Sequence, residues 1–194
     1  MARFFSVMFL AALAGMFATN DADARNKPQQ DSGPLTPIAE ASPTLAPFQH
    51  VRFCLRYPTD CKSEPMEGER IELNAENSEL LKRVNRSVNM SIAPRLKSYG
   101  SNLEDEWTIA PDRGDCNDYA VTKRHELVEN GLPSKALRLS VVTTAARIGH
   151  LVLVVATTKG GVVMDNLTEE IRPWQSTKQG SPTISGAVRY SSAR

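Results

Sequence analysis

Residues 114–133 read GDCNDYAVTKRHELVENGLP, and the fold turns on how this stretch is read. Asp115 and Cys116 stand where a helix can begin. Gly131 and Pro133 stand where it must stop, because glycine takes the left-handed turn that ends a helix and proline cannot continue one. The pattern predicts a helix from Asp115 or Cys116 to Asn130. Cys116 then falls in its first turn. A cysteine is usually buried and inert, yet the neighbours of Cys116 are nearly all polar. The open N–H groups and the positive dipole end of a helix start favour a negative group. A thiolate is such a group, and it is the nucleophilic form of cysteine. Asp115 and Asp118 work against it, so a cationic partner is required, and histidine is the usual one.

The chain has three histidines. His50 lies in the approach to the domain. His125 is nine residues along the helix from Cys116, on the opposite face and about 13 Å away, out of reach. His150 stands at the mouth of the run HLVLVVA, whose nearly continuous apolar character predicts a strand buried on both faces. Strand-like runs cover Ala136–Val142, His150–Ala156 and Val162–Asp165, with Lys159-Gly160-Gly161 as turn chemistry before the third. Asp165 can orient the imidazole, since an even-length loop between antiparallel strands puts it on the same face as His150. Direct opposition requires the four-residue loop Ala156–Lys159. The glycine pair places the turn later, which calls for a bulge. Cys116, His150 and Asp165 form a candidate nucleophilic triad. Helix amides near Cys116 supply part of an oxyanion hole, with the Trp107 indole N–H as a second donor. Each residue also has a plain structural reading: a thiol at the surface, a satisfied strand histidine, a turn aspartate.

Outward from this centre, Asn74 to Met90 place Leu80, Leu81, Val84 and Val88 at helical spacing, with Asn74 or Asn77 as cap and Pro94 beyond the end. Residues 95–113 are polar and read as loop. The first 24 residues carry Arg3, an apolar run from Phe4 to Ala18 and the sequence Ala22-Asp23-Ala24. They read as a signal peptide cleaved after Ala24, with an uncleaved anchor as the alternative. Residues 25–47 hold five of the twelve prolines and read as a linker. A domain over 48–175 and a polar tail over 176–194 follow. Export to the periplasm or beyond permits disulfides. Cys54 and Cys61, with Pro58 and Asp60 between them, are the expected pair, which leaves Cys116 as the odd thiol. The alternative keeps both as buried thiols. With 194 residues, 41% hydrophobic residues and a net charge of +1, the chain can bury one core and offers no nucleic-acid surface.

The segments GDCNDYAVTKRHELVENGLP, GHLVLVV and VVMDNLTEEIRPW resemble the bacterial transglutaminase-like cysteine peptidases over about residues 48–175, as do the upstream cysteines and the Trp107 segment. The resemblance implies an α+β fold with a papain-like or transglutaminase-like core, its nucleophile helix packed on a small antiparallel sheet. It implies Cys116 as nucleophile, His150 as base and Asp165 as orienter, with no cofactor required for the chemistry. It also implies periplasmic proteolysis of surface adhesin-type proteins, an inner-membrane regulator as partner, and calcium beside the nucleophile. Asp115, Asn117 and Asp118 are oxygen ligands at the matching place; as solvated caps they have an equal claim. Family members continue past the "PW" motif into a further strand with aromatic and basic residues, a pattern not clear here in residues 175–194. Two other functions share these residues: acyl transfer on the same triad, and a non-catalytic protein-binding module.

Overall fold

In a computed structural model of the chain, the structure describes residue 35 and residues 46–64, 66–95, 106–144 and 148–175. The signal-peptide reading, most of the linker and the tail after Gln175 lie outside these residues. Helix α1 (Phe48–Arg56) and the short α2 (Pro58–Cys61) come first, then α3 (Ala75–Ser91). Two-residue strands β1 (Ala93–Pro94) and β2 (Arg113–Gly114) pair in parallel. Helix α4 (Cys116–Glu129) follows, then a single 3-10 turn (Ser134–Ala136). Strands β3 (Leu137–Thr143), β4 (Gly149–Thr157), β5 (Gly160–Met164) and β6 (Arg172–Pro173) form one antiparallel sheet in chain order. The architecture is α+β, with α4 packed against β4 and α3 packed against α4.

Local chemistry explains the long elements. Asn74 caps α3 by accepting the Asn77 N–H at 2.8 Å, and Leu80, Leu81, Val84 and Val88 are all buried. Gly131 takes φ +84°, the left-handed turn that stops α4. Strand β4 is buried from His150 onward. Its Leu151, Leu153 and Val155 join the main core with residues of α1, α3 and α4. The alternate Val152 and Val154 join Val142, Val163 and Trp174 in a second cluster. A central strand apolar from Leu151 to Ala156 is thus used on both sides.

Three features differ from the sequence reading. Residues 48–61 form helices, not only a loop closed by cysteines; the disulfide joins Cys54 in α1 to Cys61 in α2. The stretch 95–113 was expected to be loop throughout, but Arg113 belongs to the small parallel ladder with Ala93. And β4–β5 contains no bulge. Thr157 pairs with Gly160 across a turn of Thr158 and Lys159. No helix among the described residues is long and apolar enough to cross a membrane.

Candidate active site

The start of α4 is held by its own acids. Asp115 Oδ1 accepts the Asn117 N–H at 2.9 Å, and Asp118 Oδ2 accepts the Asp115 N–H at 2.9 Å, a reciprocal capping box. Asp118 Oδ1 accepts the Thr108 N–H at 2.9 Å. Two turns along, Thr122 Oγ1 accepts the Ala110 N–H at 2.9 Å. The stretch Thr108–Ala110 is thereby strapped across the helix start. Ala110 sits at φ +48°, a left-handed conformation that a non-glycine residue adopts only when its surroundings hold it there.

Gly114 is required by space. A Cβ there would lie 2.7 Å from Asp118 Cβ and 2.8 Å from Asp118 Oδ2. The chain must pass this close for Asp118 to reach back to the Asp115 N–H. Burial of Asp118 pushes its carboxyl above the usual range, outweighing its backbone hydrogen bonds and the Arg95 guanidinium 3.4 Å away.

Cys116 follows directly, half-buried and free of the disulfide. His150 meets it. Its pKa responds to the Cys116 side chain beside it, and its Nε2–H donates to Asp165 Oδ1 at 2.8 Å. The sheet sets the second contact. Met164, the last residue of β5, pairs with Leu153, so Asp165 lies just past the paired ladder, near the start of β4 that carries His150. From there its carboxylate reaches the imidazole without the bulge the sequence called for.

Electrostatics follow the geometry. Burial disfavours a charged His150, but its bond to Asp165, the Asp165 charge and the neighbouring Cys116 side chain prevail and push its pKa up to about 9. Burial acts to raise Asp165, yet the bond to His150, the imidazolium charge, the Leu167 N–H and the Lys123 ammonium hold it below the usual carboxylate range. Leu167 N–H donates to Asp165 Oδ1 at 3.0 Å, and Arg172 lies 3.7 Å from Oδ2.

Lys123 is almost wholly buried on α4. Burial lowers its pKa to about 7, with the Asp165 carboxylate acting the other way. Sequence reasoning missed it, because a lysine in a helix reads as a solvated face. Its spacing of seven from Cys116, which places both on one side of the helix, was the available signal.

The other histidines are engaged elsewhere. His50 is pushed down to about 4, chiefly by burial and also by Arg124. It lies edge-on to Trp107, ring centroids 5.8 Å apart. His125 Nδ1 is 2.9 Å from Asp60 Oδ1. The Trp107 indole is buried against His50 and Phe53. Among the described residues, His50, Cys54 and Cys61 bring ligand-type atoms within 4.8 Å of one another, but the two sulfurs are bonded in the disulfide.

A family model described as bacterial transglutaminase-like cysteine proteinase, BTLCP, matches residues 40–180. No curated protein matches the chain. Solved structures of Legionella pneumophila LapG resemble it at 24% identity. The calcium-bound form gives a TM-score of 0.48, covering 55% of this chain and 62% of its own. The EGTA-treated form gives 0.47, covering 54% and 60%. The chain therefore spans less than two thirds of those LapG chains. With the family model covering well over half of its residues, the chain belongs to the bacterial transglutaminase-like cysteine proteinases.

Proposed function

We propose that the chain is an exported cysteine endopeptidase with Cys116 as nucleophile, His150 as general base and acid, and Asp165 as the orienting carboxylate. One observation carries the reading. A buried imidazole is hydrogen-bonded to a buried carboxylate and lies beside a thiol at the start of a capped helix.

The chemistry follows from this arrangement. With Nε2 committed to Asp165, Nδ1 is the nitrogen assigned to the thiol proton. The Cys116 thiolate attacks a peptide carbonyl, a C–S bond forms, and the carbonyl π pair moves to oxygen. The oxyanion returns its electrons, the C–N bond breaks, and the imidazolium gives its proton to the leaving amine. Water then loses a proton to His150 and adds to the thioester. Collapse expels the thiolate and frees a carboxylic acid. The N–H groups of Asn117, Asp118 and Tyr119 are taken within the cap. The Cys116 N–H is therefore the amide we assign to the oxyanion, with the Trp107 indole as second donor.

We carry three finer readings on the same footing. The substrate is a protein of surface-adhesin type. Residues 1–24 are a leader removed on export to the periplasm. Calcium, which one solved LapG holds, would be held by Asp115 and Asn117 and would brace the helix start. Asp118 fits poorly as a ligand, because both its oxygens accept N–H groups and Arg95 stands beside it. Calcium takes six to eight oxygens, so water or backbone would complete the shell. An EGTA-stripped chain whose Tm does not rise with added calcium removes that reading.

The deciding experiment compares wild type with Cys116→Ala on a protein substrate supplied with a labelled primary amine. Chain cleavage lost in the variant supports the peptidase. Amine incorporation in place of cleavage supports acyl transfer. Cleavage that survives the substitution ends the proposal.

A further inference from the structure

The sheet does not hold the turn that carries Asp165. Strand β5 ends at Met164, and the chain rejoins the sheet only at Arg172. The turn is held from α3. Asn89 Nδ2 donates to the Asp165 carbonyl at 3.1 Å and to the Thr168 carbonyl at 3.0 Å. Asn85 Nδ2 donates to Thr168 at 3.1 Å and to Glu169 at 3.0 Å. The two asparagines are four residues apart and so stack on one helix face.

Asn85 is fully buried and interrupts the apolar stripe of Leu81, Val84 and Val88. An aliphatic side chain suits such a position better. Both amide oxygens are buried without a hydrogen-bond partner among the described residues. A buried polar group with an unmatched oxygen lowers stability, so its presence calls for an explanation. The donated bonds supply one.

We propose that Asn85 and Asn89 are positioning residues of the reaction, clamping the 165–169 turn so that the Asp165 carboxylate keeps its bond to His150. The proposal rests on the triad reading. The charged groups facing the His150–Asp165 pair are Cys116 and Lys123 from α4 and Arg172 from β6. Neutral amides hold the backbone without adding to that set. An aspartate at residue 89 would keep the shape but could not donate to carbonyls when ionised.

The test uses the mature full chain as wild type, Asn89→Ala, Asn89→Asp and Asn85→Leu, with Asn130→Ala as a surface control. Hydrolysis of fluorescent casein is measured with the downfield NMR signal of the His150 ring N–H. Both residue-89 variants should lower kcat about tenfold with KM nearly unchanged, and the ring N–H signal should broaden or vanish. Asn85→Leu, which keeps the branched outline and the number of side-chain heavy atoms, provides a second variant if Asn89→Ala does not fold and should move both readouts the same way. A wild-type level of kcat and an intact signal in folded variants overturn the positioning role alone, even if Tm falls. A wild type lacking the signal, with Cys116→Ala still active, overturns the triad and this proposal with it.

Discussion

His150 and Asp165 meet just past the end of a paired ladder: Nε2 lies 2.8 Å from Oδ1, although the last β4–β5 pair joins Met164 to Leu153, three residues along β4 from the histidine. Their titration links the site to stability. A histidine raised from 6.5 to about 9 contributes stability that is fully present below pH 6.5 and is lost as pH rises through about 9. A depressed aspartate contributes stability present above its unfolded value of 3.8 and lost as pH falls through its lower folded value. One pair carries both effects. Asp165→Asn should therefore cost about 2 kcal/mol between about pH 4 and 6.5. The gap to wild type should shrink as pH climbs to 9. Denaturant midpoints across this range check it; a gap widening toward pH 9 contradicts the assignment.

Gly114→Ala should damage the helix start through crowding, because the new methyl meets Asp118 at 2.7 Å. Losing the reciprocal cap costs about 1–2 kcal/mol. Displacing Cys116 should reduce kcat at least about tenfold. Calorimetry and hydrolysis rates read the two losses separately. An alanine variant with native Tm would show that Asp118 can give way freely.

The Cys54–Cys61 bridge spans a sequence separation of seven and ties α1 to α2. That pair of helices is anchored on α4 where Arg124 donates to the Asp60 carbonyl and His125 meets the Asp60 carboxylate. In the chain-entropy account, replacing both cysteines by serine should cost about 2–3 kcal/mol. Thiol titration of the denatured chain should find one thiol before reduction and three after it, since Cys116 is free. Three thiols without reduction would exclude the bridge.

Trp107→Phe separates packing from catalysis. Phenylalanine keeps a ring against His50 and Phe53 but has no N–H to donate. If the indole supports the oxyanion, kcat should fall about a hundredfold, with Tm within a few degrees of wild type. An unchanged kcat reduces Trp107 to a core residue.

Helix α4 and the paired runs after it were legible because their signals are local. Asp115 and Asp118 stand at capping distance, Gly131 can turn left-handed, and β4 is apolar from Leu151 to Ala156. Helix α1 carried a signal that went unused: Phe48, Val51 and Leu55 recur at helical spacing. The structure leaves that stripe exposed and buries Phe53 instead. The β1–β2 ladder joins Ala93 to Arg113 across a stretch with no periodicity to reveal it. Asn85 and Lys123 look like surface residues by type, and only packing shows that they are interior.

The amino-acid order by itself determined where the long helices start and stop and which of the longer runs become strands. These depend on side chains acting within a few positions of one another. Tertiary structure decided the turn at Thr158–Lys159, the contact of His150 with Asp165, and the hold of α3 on the turn beyond β5. Such contacts depend on register and on helices packed from distant parts of the chain, which no local preference encodes.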